Sequence, residues 1–174
     1  MDRLKKLAQN IKLVIFDVDG VLTPGTLFFD NKGQEYKAFH SKDGHGLRML
    51  LECGLQAAII TGRKSNLVEH RMRDLGIEHV FQGYRDKSPA FKELLSLTGL
   101  KPEQIAYMGD DVIDLPVMSK VGMAIAVQDA HSFVCQHADY ITQTRGGRGA
   151  AREAIEFILD AQGLLQEKLE TYLT

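Results

Sequence analysis

The chain has 174 residues, 44% of them hydrophobic and 25% charged, and a net charge of −2 at neutral pH. This length suits one domain around one core, and the slightly acidic balance gives no broad positive surface of the kind that nucleic acids and anionic membranes attract. We expect no membrane span and no secretion signal, because no apolar run has the length or position that either requires. Cys53 and Cys135 lie among apolar neighbours, which predicts reduced core thiols in a cytoplasmic protein; a disulfide between them is the alternative.

The first part of the chain predicts a buried strand followed by a hairpin. After a polar, partly helical lead-in over residues 1–10, residues 12–16 are mostly apolar and β-branched, as in a strand that is buried on both faces. Segments 26–30 and 34–40 flank a short turn that contains Gly33. This pattern predicts a small β-hairpin insert over about residues 25–41.

Strands and helices then alternate along the chain. Further strands are predicted over residues 55–60, 77–81, 105–109, 123–127 and 139–141. Helices are predicted from about Asp43 to before Gly54, from Ser65 to Gly76, and from an N-cap at Ser88. Four more are predicted: one that follows Asp111 and runs through Val121, a short one around Phe133, one over about 149–161 and one after Gly163. This alternation predicts one α/β domain with a Rossmann-like three-layer fold, in which helices cover both faces of a mostly parallel central sheet.

Polar side chains cluster where the predicted strands end. Asp17 and Asp19 follow the first strand, Thr61 ends the second, Lys87 precedes a helix, and Asp110, Asp111 and Asp114 follow the fourth. The carboxyl ends of parallel strands meet at one edge of the sheet, where ligands bind. Acids there suit Mg²⁺, and the hydroxyl and the lysine suit a phosphate group. The alternatives are ordinary turn chemistry at Asp17–Gly20, a surface lysine at position 87 and a solvated helix face at Asp114.

These segments resemble, in order, the four motifs of the haloacid dehalogenase superfamily of phosphatases: Asp17-Val-Asp19-Gly20-Val-Leu-Thr23, Ile60-Thr61-Gly62-Arg63, Lys87, and Gly109-Asp110-Asp111-Val-Ile-Asp114. The resemblance implies that Asp17 attacks phosphorus to form an aspartyl-phosphate. It implies that Asp19 protonates the leaving alcohol and later deprotonates the water that releases phosphate. Mg²⁺ would be held by Asp17, the backbone carbonyl of Asp19 and Asp110, with Asp111 and Asp114 in support.

The spacing of the motifs leaves room for the hairpin but not for the cap domain that usually covers such a site, so a neighbouring subunit would have to cover it. The small size, the hairpin and the segment 144–152 resemble the 3-deoxy-D-manno-octulosonate 8-phosphate phosphatase family. That resemblance implies a homotetramer assembled through its hairpins, an acidic sugar-phosphate substrate of lipopolysaccharide synthesis and a Gram-negative cytoplasm. The alternatives are a nine-carbon sugar-acid phosphate as substrate and a non-catalytic module of the same fold; a phosphorelay receiver fits the order of the acids poorly.

Several residues are candidates for holding the substrate. We expect Thr61, Gly62, Arg63 and Lys87 to contact the phosphate, and we add Arg71 and Arg148 as further substrate-binding candidates. The Gly-rich, Arg-bearing segment 144–152 is either an anion site at a helix start or a flexible loop that caps the last helix. Arg63 has a plain surface position as its alternative. The hairpin aromatics form either an internal packing face or, as we expect, an oligomer contact: Phe28, Phe29, Tyr36 and Phe39.

Overall fold

The computed structural model describes residues 2–173, with side chains from Arg3 onward, and Met1 and Thr174 lie outside the described residues. The strands are β1 (Leu13–Phe16), β2 (Phe28–Phe29), β3 (Glu35–Tyr36), β4 (Gln56–Thr61), β5 (His79–Gln82), β6 (Ile105–Gly109), β7 (Met123–Ala126) and β8 (Tyr140–Ile141). The helices are α1 (Asp2–Gln9), α2 (Ser41–Glu52), α3 (Asn66–Leu75), α4 (Ser88–Thr98), α5 (Leu115–Met118), α6 (Ser132–His137), α7 (Ala150–Ala161) and α8 (Leu165–Glu170). Single 3₁₀ turns cover Pro102–Gln104 and Val112–Asp114.

Six strands form one sheet in the order β5-β4-β1-β6-β7-β8. Every neighbouring pair in it is parallel, so the predicted parallel sheet is confirmed. β1 lies at the centre, where Val14 pairs with Ala57 of β4 and with Ala106 of β6. The carboxyl ends of these three strands therefore lie side by side at one edge of the sheet.

The core consists of two apolar layers, one on each face of the sheet. Val14 and Phe16 belong to the layer that α2, α3 and α7 cover, whereas Leu13 and Ile15 belong to the layer under α4 and α5. All four side chains are fully buried. A strand buried on both faces needs an unbroken apolar sequence, and this is why β1 could be predicted.

The predicted elements are present, and their ends differ in places. The helix predicted through Val121 is instead the 3₁₀ turn Val112–Asp114 followed by the short helix α5. Proline lacks a backbone N–H and is tolerated only in the first turn of a helix. Because Pro116 must lie in that first turn, α5 begins at Leu115. At α4 the N-cap position belongs to Lys87 rather than to the predicted Ser88, and the Ser88 amide donates to the Asp86 carboxylate at 3.0 Å.

The hairpin and the C-terminal tail are also present. β2 and β3 pair antiparallel, with Phe28 opposite Tyr36, and both of these side chains remain about half exposed. The tail docks on α2, where Lys168 Nζ lies 2.6 Å from Glu52 Oε2 and the rings of Tyr172 and His45 are in contact. Cys53 and Cys135 are both free thiols, so the alternative of a disulfide is wrong. Within residues 2–173, no helix combines the length and apolarity that crossing a bilayer demands.

Candidate active site

The polar residues predicted at the strand ends meet around a cavity of about 170 Å³ at the carboxyl edge of the sheet. The sequence had singled out all but one of its lining residues: Asp17, Asp19, Thr61, Gly62, Arg63, Asp110, Asp111 and Ile113. A larger groove of about 780 Å³ runs along the outer strand β5. This groove contains none of the acids at the strand ends, so its volume alone does not indicate a catalytic site.

Lys87 is the centre of a buried polar network beneath this cavity. Its Nζ lies 3.0 Å from Asp17 Oδ1 and 2.6 Å from Asp114 Oδ1, and it donates to the Tyr107 hydroxyl at 3.0 Å. Of the three donors of this ammonium, two make hydrogen bonds, to Asp114 and Tyr107, and the contact with Asp17 is an ion pair without an aligned hydrogen bond. Lys87 is fully buried, and the alternative of a surface lysine is therefore wrong.

Asp114 is held by four donors. Oδ1 accepts from Lys87 and from the Tyr107 hydroxyl at 2.7 Å, and Oδ2 accepts from the backbone amides of Asp110 and Asp111 at 3.0 and 3.1 Å. Asp114 has no solvent exposure, which rules out the alternative of a solvated helix face. Because its lone pairs are already used, Asp114 suits the supporting role in which the resemblance places it.

The pKa values of Asp17 and Asp110 lie above the ordinary range of an aspartate. Burial raises the pKa of Asp17 to about 6 against the opposing pull of Lys87. Burial and the neighbouring carboxylates, Asp17 first among them, raise the pKa of Asp110 to about 8. Burial alone would lower the pKa of Lys87, but Asp17 and Asp114 outweigh it and raise that pKa above its usual value. The site therefore holds more negative charge than its lysine can balance.

Asp17 and Asp110 fit a divalent cation. Oxygens of Asp17, Asp110 and Asp114 lie within 4.8 Å of one another. Asp17 Oδ1 and Asp110 Oδ1 are buried without an aligned hydrogen-bond donor, and buried carboxylate oxygens are costly unless paired or bound to a metal. Gly20 has a φ of +96°, and a Cβ at this position would collide with the Asp110 carboxylate. These oxygens match the donors that Mg²⁺ prefers.

Thr61 and Gly62 lie where the second motif was expected. Thr61 ends β4 and is buried, and its carbonyl accepts from the Tyr84 amide at 3.1 Å. The Gly83 amide donates to the Arg63 carbonyl at the same distance. These two bonds fix the loop after β5, which leads to Lys87, against the loop after β4.

Asp19 is surrounded by charged side chains from the hairpin and from the second motif. Lys37 Nζ lies 2.5 Å from Asp19 Oδ1, and Arg63 Nε lies 3.6 Å from Asp19 Oδ2. Glu35 Oε1 accepts from Lys37 at 3.1 Å and from Arg63 at 2.7 Å. Arg63 is therefore part of the cavity wall rather than an isolated surface arginine.

The Gly-rich segment forms a fixed wall beside the first motif. The Gly147 amide donates to the Val21 carbonyl at 2.7 Å, and a Cβ at Gly146 would collide with the Gly20 carbonyl oxygen. These two glycines thus permit a close backbone approach, whereas Gly149 serves as the N-cap of α7. The alternative in which the glycines only cap the last helix is wrong. Arg148 is exposed on this wall.

The other predicted substrate and metal residues are less closely involved. Arg71 pairs with Asp74 at 3.1 Å and lies against Gly44, away from the residues that line the cavity. Asp111 lines the cavity, and its Oδ1 accepts from the Val112 amide at 2.7 Å. The roles of these three residues, like the catalytic, metal and substrate roles of the residues that line the cavity, remain predictions.

Sequence reasoning missed three residues of the site: Tyr107, Glu35 and Lys37. Tyr107 lies in an apolar strand, where an aromatic ring ordinarily indicates core packing. Glu35 and Lys37 alternate along a hairpin, where charged side chains ordinarily face water. The only available signal was their spacing, because positions 35 and 37 fall on the same face of a strand.

Comparisons with known proteins point to one family. The sequence profile of the haloacid dehalogenase-like hydrolases matches residues 79–153. The chain is 51% identical over 160 residues to the 3-deoxy-D-manno-octulosonate 8-phosphate phosphatase KdsC of Escherichia coli K12, which covers 92% of this chain and 85% of that protein.

Solved structures agree with the sequence relatives. A probable phosphatase of the YrbI family from Pseudomonas syringae superposes with a TM-score of 0.98 at 49% identity, covering 100% of this chain and 99% of the other. The 3-deoxy-D-manno-octulosonate 8-phosphate phosphatase of Moraxella catarrhalis, solved with magnesium, phosphate and KDO, superposes with a TM-score of 0.96 at 40% identity, covering 99% of each chain.

Proposed function

We propose that this chain hydrolyses 3-deoxy-D-manno-octulosonate 8-phosphate, an eight-carbon sugar-acid phosphate, to KDO and inorganic phosphate. The premise is that the chain belongs to the haloacid dehalogenase-like hydrolases and, among them, to the 3-deoxy-D-manno-octulosonate 8-phosphate phosphatases. One observation carries the chemistry. Asp17 is buried at the end of the central strand, 3.0 Å from the ammonium of Lys87 and within 4.8 Å of a carboxylate oxygen of Asp110. A carboxylate placed in this way can serve as a nucleophile toward phosphorus.

Phosphoryl transfer begins at Asp17. An Asp17 carboxylate oxygen forms a bond to phosphorus while the bond from phosphorus to the sugar oxygen breaks, and Asp19 gives its proton to that oxygen. Lys87 Nζ, 3.0 Å from Asp17 Oδ1, fixes the nucleophile and lowers its repulsion of the approaching dianion. Thr61, Gly62 and Arg63 line the cavity, and their hydroxyl and backbone amides would bind the phosphate oxygens.

Hydrolysis of the aspartyl-phosphate reverses the role of Asp19. Water attacks phosphorus, Asp19 takes one proton from that water, and the bond between phosphorus and the Asp17 oxygen breaks to release phosphate. Asp17 and Asp110 would hold Mg²⁺, with Asp114 and Asp111 in support and the Asp19 carbonyl as a further ligand. When bound there, Mg²⁺ neutralises phosphate charge and orients the transferred group.

Phosphate release measured with Mg²⁺ and after chelation tests the reaction. We expect Mg²⁺-dependent turnover that falls by at least about 10³-fold in Asp17→Asn, because the amide is a far weaker nucleophile. Asp160→Asn is a matched control, since it removes an exposed carboxylate outside the cavity that pairs with Lys5. Near wild-type turnover in Asp17→Asn would eliminate the nucleophile.

A panel of sugar-acid phosphates tests the substrate. We expect the highest kcat/KM with the eight-carbon 3-deoxy-D-manno-octulosonate 8-phosphate. A higher value with a nine-carbon deoxynonulosonate 9-phosphate would change the substrate but leave the chemistry intact. Arg148 would meet the substrate carboxylate, so Arg148→Gln should raise KM about 10-fold with little change in kcat. The same substitution at Arg71 tests the other proposed contact.

We place this enzyme in the cytoplasm of a Gram-negative bacterium, as a homotetramer whose hairpins cover the open sites in place of a cap domain. The support for assembly is the exposed apolar surface of the hairpin, where Phe28, Phe29 and Tyr36 are 51–55% exposed beside Leu27 at 43%. Phe39, the fourth predicted contact, instead packs against the core. Light scattering tests the assembly, and Phe28→Ser should dissociate it. A wild-type protein that stays monomeric at micromolar concentration would contradict this assignment, and fractionation of cells tests the compartment.

A further inference from the structure

The hairpin insert places a buried lysine against Asp19, which lines the catalytic cavity. The side chain of Lys37 is 2% exposed, although the apolar residues of the same hairpin are about half exposed. Its Nζ lies 2.5 Å from Asp19 Oδ1 and 3.1 Å from Glu35 Oε1. Lysine is almost never buried unless it is paired, so these two carboxylates determine where the ammonium lies.

Glu35 is the second carboxylate that holds Lys37. Its Oε1 also accepts from Arg63 at 2.7 Å, and Arg63 Nε is 3.6 Å from Asp19 Oδ2. Burial opposes ionisation of Glu35, but the hydrogen bonds from Lys37 and Arg63 outweigh it and lower the pKa of that carboxyl. Two cations and two carboxylates therefore alternate around a closed ring of four side chains from the hairpin, the first motif and the second motif.

We propose that Lys37 is a positioning residue for Asp19: its ammonium, itself held by Glu35, fixes where the Asp19 carboxylate lies over the cavity. This inference rests on the proposed function, in which Asp19 transfers a proton twice. Such a group contributes about 10²- to 10⁴-fold to rate, and a displacement of about 1 Å can remove about 10²-fold. The hairpin would then be part of the catalytic apparatus of its own subunit.

A double-mutant cycle tests whether Lys37 acts through Asp19. The four proteins are wild type, Lys37→Met, Asp19→Asn and the double variant, assayed with Mg²⁺ and 3-deoxy-D-manno-octulosonate 8-phosphate. The sugar oxygen needs a proton from Asp19 to leave, so kcat/KM reports how Asp19 is placed, and single-turnover phosphate release followed over hours measures the residual rate in Asp19→Asn. We expect Lys37→Met to lower kcat/KM about 10- to 100-fold in wild type and by less than about 2-fold in the Asp19→Asn background, because the two changes are not additive.

Lys32→Met is the matched control. Lys32 is an exposed lysine at the turn of the same hairpin, and its loss should change kcat/KM by less than about 2-fold. Glu35→Gln is a second variant that keeps the contact of Lys37 with Asp19 but weakens the other side of the ring. We expect Glu35→Gln to cause an intermediate loss of kcat/KM that also disappears in the Asp19→Asn background. If thermal melting shows that Lys37→Met does not fold, the result for Glu35→Gln tests the inference instead.

Equal losses in both backgrounds would overturn the inference, since Lys37 would then act independently of Asp19. An unchanged kcat/KM in Lys37→Met would also overturn it. The wild-type assay separates this failure from that of the proposed function: a wild-type chain that releases phosphate establishes the reaction before any variant is compared.

Discussion

Replacing Tyr107 by phenylalanine removes one hydroxyl group from the network beneath the cavity and leaves the ring in place. That hydroxyl donates to Asp114 at 2.7 Å and accepts from Lys87 at 3.0 Å. Burial and the Asp114 carboxylate hold the pKa of Tyr107 well above its usual value, so it stays a neutral donor. We expect Tyr107→Phe to fold, because the ring is fully buried and its shape is retained.

The expected loss of stability follows from the hydrogen bonds and ion pairs that Asp114 and Lys87 keep in Tyr107→Phe. Asp114 retains three of its four donors, and Lys87 retains two carboxylates, so each loses one partner and neither is left unpaired. A missing partner in a buried network costs about 1–2 kcal/mol, which corresponds to about 2–8 °C in melting temperature for a chain of this size. If the same energy is lost from the placement of Lys87 beside Asp17, kcat/KM should fall about 5- to 30-fold.

Tyr140→Phe is the matched control. The Tyr140 hydroxyl donates to Glu153 at 2.9 Å, and neither residue lines the catalytic cavity. Melting curves and kcat/KM measured for both variants separate stability from catalysis, and we expect only Tyr107→Phe to lose activity. A wild-type kcat/KM in Tyr107→Phe, or an equal loss in Tyr140→Phe, would refute this reasoning.

Three further predictions concern charge and space in the site. Lys87→Met should abolish measurable turnover and lower the free energy of unfolding by about 3–5 kcal/mol, because two buried carboxylates lose their counter-ion; activity assays and denaturant titration measure the two effects. The pKa of Asp110 is raised to about 8, against 3.8 in the unfolded chain. Between these two pH values the folded state therefore binds more protons than the unfolded state. The melting temperature of the metal-free protein should thus fall as the pH rises from about 4 to about 8. Saturating Mg²⁺ at pH 8 should raise it by about 5–10 °C, and Asp110→Asn, melted alongside as the control, should lose most of the response. Gly20→Ala should weaken Mg²⁺ binding in calorimetry, whereas Gly99→Ala, which has a similar positive φ but open space around it, should lower stability only.

The sequence was sufficient for the sheet and for the acids of the site. β1 carries an unbroken apolar run because both of its faces are buried, and the edge where Asp17, Thr61 and Asp110 meet follows from the parallel arrangement alone. The short helix α5 was predicted too long, because the effect of Pro116 on where that helix begins was overlooked.

The rest depended on contacts between distant parts of the chain. Lys37 meets Asp19 only because the hairpin folds back over the cavity, and Tyr107 looked like core packing until its hydroxyl was seen between Lys87 and Asp114. Gly146 is needed because of its distance from the Gly20 carbonyl, which no local pattern encodes.

The approach of Gly146 and Gly147 to the backbone of Gly20 and Val21 has a consequence for biosynthesis. All four motifs have been synthesised once the chain reaches Asp114, yet the segment that walls them in is made some thirty residues later. A nascent polypeptide ending at residue 143 would carry every catalytic acid without a finished cleft, and we expect it to be protease-sensitive and inactive. Competence to turn over substrate would thus report that synthesis has passed this point.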